Sequence, residues 1–253
     1  MHKISIITVC KNSEKTIGKT IESVLSQNYP DLEYIIVDGK STDSTLTVVE
    51  QYQKEFSNIF KVISEQDRNM TEAFNKGWRL AGGDIIGFLN SDDQYAEGAL
   101  AAVEKAFIAN GEPDFVVGNC EFVNNIKILS VSKPTVIKLF LLYIIGCYIP
   151  HPSVFFNKCT AKKIGYYNED FRFAMDLEYW VRALKNNLRF VYIDKTLSYF
   201  FLSEKQLSTR YFGQVQAEAE KIYDNKFLLA VRDLARDLGF KEKIMKYYDI
   251  KIR

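Results

Sequence analysis

The chain has 253 residues, of which 47% are hydrophobic and 26% charged, enough apolar content for a sizeable core in one or two domains. Its 33 Lys+Arg against 32 Asp+Glu leave a net charge of +1, which excludes a general nucleic-acid binder with its domain-wide basic excess. Two histidines, His2 and His151, exclude a multi-histidine metal cluster, and Cys10, Cys120, Cys147 and Cys159 contain no C-x-x-C pair; they read as free, mostly buried thiols of a reducing compartment.

Met1-His2-Lys3 leads directly into the apolar run Ile4–Val9, too short for an export signal and shaped like a buried strand. A cytoplasmic protein is expected. Ile17, Ile21, Val24 and Leu25 recur at helical spacing and predict a helix over about 14–27. Tyr34–Val37 forms the second strand, ended by Asp38-Gly39, and Ser41–Ser44 supplies N-cap chemistry for a helix running to Phe56. A third strand, Phe60–Ser64, leads to a helix over about 70–81, which Gly82-Gly83 breaks before a fourth strand, Asp84–Leu89.

Beyond it the pattern predicts a helix over about 97–110, then strands at about 115–118 and 126–132. The apolar segment Leu139–Pro150 is shorter than the roughly 20 residues of a bilayer span. It is either a core helix or a surface that meets a membrane or a lipid-linked acceptor. Leu177–Asn186 reads as a helix and Phe190–Ile193 as a strand, and from Thr209 the pattern is helical. Its basic end after Lys241 carries Ile244, Tyr247, Tyr248 and Ile252. That end is either a solvated amphipathic helix or one that docks at a membrane interface or on a second copy of the chain.

Four strands separated by helices imply a parallel sheet with right-handed crossovers, and such sheets bind ligands beyond the carboxyl ends of their strands. Those ends are Thr8–Asn12, Asp38–Ser41, Glu65–Arg68 and Asn90–Asp93, and three of the four carry Asp or Glu. Carboxylates therefore concentrate where an α/β sheet places its chemistry.

The segments ISIITVCKN, VDGKSTDST, SEQDRNMTEAFNKG and GGDIIGFLNSDD, followed by FAMDLEYWVRAL, resemble in order and spacing the inverting family-two glycosyltransferases, over roughly residues 3–200. The resemblance implies an α/β GT-A fold, with a Rossmann-like, mixed but mostly parallel sheet flanked by helices and a C-terminal helical tail. The implied boundaries are a catalytic domain over 1–208, with a nucleotide-sugar half (1–95) and an acceptor half (96–208), and a helical extension over 209–253. It implies transfer from a UDP-sugar to a glycan, glycoconjugate or lipid-linked acceptor with Mn2+ or Mg2+, in surface polysaccharide assembly, at most peripherally on the inner face of the membrane. Self-association through the C-terminal helices is part of the same expectation.

By this resemblance Asp38 and Asp67 contact the nucleoside, and Thr8, Asn90 and Ser91 join them at the nucleotide. Asp38 could instead stabilise its own turn, Asp67 be a solvated loop carboxylate, and Arg68 either approach the diphosphate or lie on the surface. Asp92, with Asp93 in support, matches the metal-binding acidic element, although Asn90 stands where the family usually has Asp; the bland alternative is that these acids cap the next helix. Asp176 is the candidate base, with Trp180 four residues on along the same helix face, and an N-cap is its alternative. Glu178 is the second choice for base, off that face. His151 contacts acceptor, phosphate or metal, or plays a structural part. Lys40 and Asn69 occupy places where the family more often has small residues, and SEKQLS (203–208) lacks the Gly-rich character of a closing loop. A nucleotidyltransferase would carry a Gly-rich loop after its first strand, and TVCKNSEKT has none; a non-catalytic nucleotide-sugar-binding subunit is the other alternative.

Overall fold

Continuous runs of Ile, Val and Leu with no exposed face dictate strands covered on both sides. In the computed structural model, which describes residues 1–124, 126–202, 211–237 and 239, β1 (Ile4–Cys10) and β2 (Leu32–Asp38) are buried at every position. Helix α1 (Ile17–Leu25) links them, and α2 (Thr45–Glu55) leads to β3 (Phe60–Ser64). Helix α3 (Met70–Leu80) leads to β4 (Ile85–Asn90). These four strands pair in parallel in the order β3-β2-β1-β4. The order reverses between β1 and β4, which makes their carboxyl ends the switch point of the sheet.

Period-two alternation divides the core. Ile7, Val9, Ile35 and Val37 face α3 with Phe74 and Trp78, whereas Ile6, Cys10, Tyr34 and Ile36 face the opposite layer with α1. Helix α3 lies so close that a Cβ on Gly77 would meet Ile7 Cγ2 at 2.4 Å and Val37 Cγ2 at 3.2 Å; only glycine fits this crossing.

The second half continues the same sheet with β5 (Gln94–Tyr95), β6 (Phe115–Val123), β7 (Ile128–Ser132), β8 (Val154–Asn157) and β9 (Phe190–Phe201). Beyond β4 the order runs β8-β6-β9-β5, with β7 on β6; β8 is antiparallel to both β4 and β6, and β9 is parallel to β6. The fold is the expected GT-A type, parallel in its first half and mixed beyond. Helices α4 (Ala99–Ala109), α5 (Leu139–Ile145), α6 (Thr160–Ile164) and α7 (Met175–Lys185) flank it. Two C-terminal helices, α8 (Phe212–Ile222) and α9 (Lys226–Asp237), return to it: Tyr143 donates to Asp224 at 2.6 Å and Tyr223 donates to the Leu142 carbonyl at 2.8 Å.

Several expectations change here. Strand β9 runs well past Ile193, because exposed Asp194 and Lys195 interrupt the apolar pattern where its pairing with β6 shifts register. The apolar segment 139–150 takes the core reading, with Leu141–Ile145, Tyr148 and Ile149 all buried. The thiols divide evenly: Cys10 and Cys120 are buried, while Cys147 and Cys159 are exposed. Among the described residues no helix is long and apolar enough to cross a membrane. The expectations for 203–208 and for the tail after Lys241 lie outside the described residues.

Candidate active site

The sheet register brings the strand ends into line: Cys10 sits opposite Asp38, Asp38 opposite Ser64, and Val9 opposite Asn90. Asp38 is fully buried and accepts hydrogen bonds from Ser41 N at 3.1 Å, from the Ser41 hydroxyl, and from Ser64 Oγ at 2.7 Å. Its carboxylate thus ties the β2 turn to β3, which is the turn-stabilising arrangement weighed for this residue. Lys40, within that turn, adopts φ 59°. This left-handed conformation favours glycine. Thr8 is enclosed in the sheet, with Oγ1 3.1 Å from the Tyr34 hydroxyl, and does not reach the open end.

Asp67 lies across the turn, with Oδ2 3.3 Å from where a Gly39 Cβ would stand. Enclosure pushes its carboxyl pKa up, against the pull of Lys76, whose Nζ is 2.7 Å from Oδ1. Lys76 also reaches Glu65 at 2.8 Å, so one ammonium is shared between two carboxylates of this loop. Arg68 is exposed and pairs with Glu72 at 3.1 Å and with Glu169. Asn69 has a local duty that explains its presence: its side chain caps α3, accepting from Glu72 N at 2.9 Å.

At the switch point Ser91 Oγ meets Ser13 Oγ at 2.8 Å, bridging the loops that follow β4 and β1. Asp93 is fully buried and accepts from Asn90 Nδ2 at 2.9 Å and Phe201 N at 3.2 Å, clamping the end of β4 to β9. The next helix starts at Ala99 behind Gly98, so neither Asp92 nor Asp93 caps it. Burial, with the neighbouring Asp92 charge added, pushes the Asp93 pKa well up; burial likewise raises that of Asp92. Among the described residues no cation pairs with either acid, and Asn90 Oδ1 is buried without a hydrogen-bond partner. Unneutralised carboxylates beside an unused amide oxygen suit a hard divalent cation. No group of three or more acidic, His or Cys side chains is assembled for a metal among the described residues, so such a cation needs further oxygens from a ligand.

The face of β4 that carries Asn90 also carries Phe88, whose ring stacks on His151 at 5.6 Å. His151 Nε2 is 2.9 Å from the Tyr167 hydroxyl, and the Trp180 ring centre is 6.4 Å from the imidazole. Burial lowers the His151 pKa to about 4, so the ring is neutral at physiological pH. This arrangement suits the structural, hydrogen-bonded reading. Asp176 stands in the first turn of α7, whose N-cap is Ala174, so Asp176 is not itself the cap. It accepts from Leu177 N at 2.8 Å and from Cys147 Sγ at 3.5 Å. Trp180 lies beside the same sulfur. No cation pairs with Asp176 among the described residues, and burial raises its pKa. Glu178 is held instead by Arg182, at 2.8 and 2.7 Å, on another side of α7. Lys76 and Cys147 carry no spacing signal toward Asp67 and Asp176, and sequence reasoning did not single them out.

Comparison with known proteins identifies the family. A family model described as "Glycosyl transferase family 2" matches residues 5–156. The Escherichia coli UDP-Glc:alpha-D-GlcNAc-diphosphoundecaprenol beta-1,3-glucosyltransferase WfgD is 27% identical over 226 residues, covering 87% of this chain and 85% of that protein. The poly(ribitol-phosphate) beta-N-acetylglucosaminyltransferase TarS of Staphylococcus aureus is 26% identical over 252 residues, covering 97% of this chain but 43% of TarS. Matches to two other relatives span 33% and 38% of their lengths. The crystal structure of a TarS fragment in complex with UDP-GlcNAc superposes with a TM-score of 0.70 at 24% identity, covering 96% of this chain and 74% of that one. The family match runs from β1 into β8, more than half of the chain, and takes in all four strand-end loops whole: the chain belongs to glycosyl transferase family 2.

Proposed function

We propose that the chain moves one sugar from a UDP-sugar to a hydroxyl of a glycan or lipid-linked acceptor, with inversion at the anomeric carbon, in surface polysaccharide or glycoconjugate assembly. The observation that carries this reading is Asp176: a carboxylate with no neutralising cation among the described residues, raised in pKa by burial, one helical turn from Trp180. WfgD and TarS, by their names, transfer glucose and N-acetylglucosamine, and the TarS complex holds UDP-GlcNAc; these support a UDP-sugar donor.

The acceptor oxygen attacks the anomeric carbon as the bond to the diphosphate breaks, and Asp176 takes the hydroxyl proton as the new glycosidic bond forms. A carboxylate raised in pKa is a stronger base than an exposed one. Asp92, with the Asn90 amide oxygen, would hold Mn2+ or Mg2+ together with diphosphate oxygens, an arrangement typical of Mg2+ on one or two carboxylates plus substrate phosphates. Bound there, the cation supplies Lewis-acid stabilisation of the leaving diphosphate. Asp93 braces Asn90 from behind, and Asp67 and the Asp38 turn shape the nucleoside end.

A panel of UDP-sugars with Mn2+ and candidate acceptors is the direct test. Acceptor-dependent UDP release should appear with one donor and fall by about 100-fold or more in Asp176→Asn. Turnover unchanged in that variant would reject Asp176 as the base.

A further inference from the structure

The segment that delivers Asp176 is fastened from outside the catalytic sheet. Backbone N–H groups of Arg172, Phe173 and Ala174 converge on one carboxylate, Glu218 of α8, at 3.0, 2.7 and 2.8 Å. Oε1 accepts from the first and Oε2 from the other two. Three consecutive amides on one anion form a nest, a backbone device that fixes a loop as firmly as it binds the charge. Ala174 has no side chain able to cap α7, and the helix has no side-chain cap bond of its own. Its carbonyl accepts the Glu178 amide at 3.0 Å, so the nest ends where the helix begins, two residues before Asp176. The same loop is pinned on its other side by α3: Thr71 Oγ1 donates to the Phe171 carbonyl at 2.6 Å, and Asn69 Nδ2 donates to the Glu169 carbonyl at 3.1 Å.

We infer that Glu218 is a positioning residue for Asp176, so that the C-terminal extension is a working part of the active site. The inference rests on the reading of Asp176 as base. Removing the carboxylate leaves three amides without their acceptor and frees the entry to α7 to drift. Displacement of a reacting group by about 1 Å costs on the order of 100-fold in rate. The loss belongs to the step in which Asp176 acts, and donor binding is spared.

The test compares Glu218→Ala, Glu218→Gln and Asp176→Asn, singly and in combination, in the full-length protein. Hydrogen exchange of the Arg172–Ala174 amides is followed beside steady-state kinetics. Glu218→Ala should speed exchange at those amides and lower kcat about 10- to 100-fold, with donor KM changed less than about twofold. Glu218→Gln keeps one acceptor oxygen and should recover part of kcat; it also serves if the alanine variant fails to fold. In the Asp176→Asn background Glu218→Ala should cost nothing further, since both changes remove one function. Faster amide exchange with wild-type kcat, while Asp176→Asn is inactive, overturns the role of Glu218 and leaves the base assignment standing. Turnover retained in Asp176→Asn removes the base reading and this inference with it, whatever the exchange rates.

Discussion

The partners of each carboxylate bear on whether it holds a loop or is proposed to act. Asp38 and Asp93 are saturated with hydroxyl, amide and backbone donors, and Asp67 is neutralised by Lys76. Among the described residues Asp92 and Asp176 have no cation beside them, and burial raises both pKa values. Leaving a carboxylate enclosed and unpaired is costly to the fold, a cost that a ligand cation or a transferred proton relieves. Asp92→Ala should therefore weaken Mn2+-dependent donor binding by about 10-fold or more in calorimetry, since it removes a hard oxygen ligand. Binding of equal strength in that variant would place the cation elsewhere.

At the scale of elements, close packing of α3 on the sheet determines where Asp67, Asn69 and Lys76 stand. Gly77→Ala drives a methyl group into Ile7 and Val37; overpacking of this kind costs about 1–3 kcal/mol. A chemical denaturation midpoint lowered without change in slope would confirm it, and an unchanged midpoint would mean that the helix can lift freely. This element was legible in advance because its apolar positions repeat at helical spacing and the Gly82-Gly83 pair ends it. Strands β1 to β4 were legible for a similar reason, each carrying a short run of apolar residues. The second half resisted, since β9 is interrupted by Asp194-Lys195 and β8 is too short to show a period. The strand-end acids could be read from position alone, but the partners that decide their roles could not. Glu218 lies 42 residues beyond Asp176 in sequence, a separation at which no local pattern connects a carboxylate to a loop.

For the molecule as a whole, stability should carry the signature of one neutral imidazole. His151 is 8% exposed and has its pKa lowered to about 4, against 6.5 for the free group. Between these values the unfolded chain binds a proton that the folded chain does not, so stability is fully present above pH 6.5 and falls as the pH drops toward about 4. The contribution at stake is about 3 kcal/mol. His151→Gln, which keeps a hydrogen-bonding side chain facing Tyr167, should flatten the fall of Tm over this pH range relative to wild type. Parallel Tm profiles would show that other groups govern acid sensitivity.

The aromatic packing beneath the site has an optical consequence. The chain has two tryptophans, Trp78 and Trp180. Trp78 is 4% exposed inside a cluster with Phe88, Phe156, Tyr166 and Tyr167, and Trp180 is wholly enclosed one turn from Asp176. With Trp78 replaced by phenylalanine, emission comes from a single indole whose neighbours are the Cys147 sulfur and Asp176. Thiols and carboxyl groups quench excited indole to different degrees, and the quenching changes as either group shifts. The protein therefore carries an unlabelled reporter of events at its proposed reaction centre, readable in the time course of one turnover.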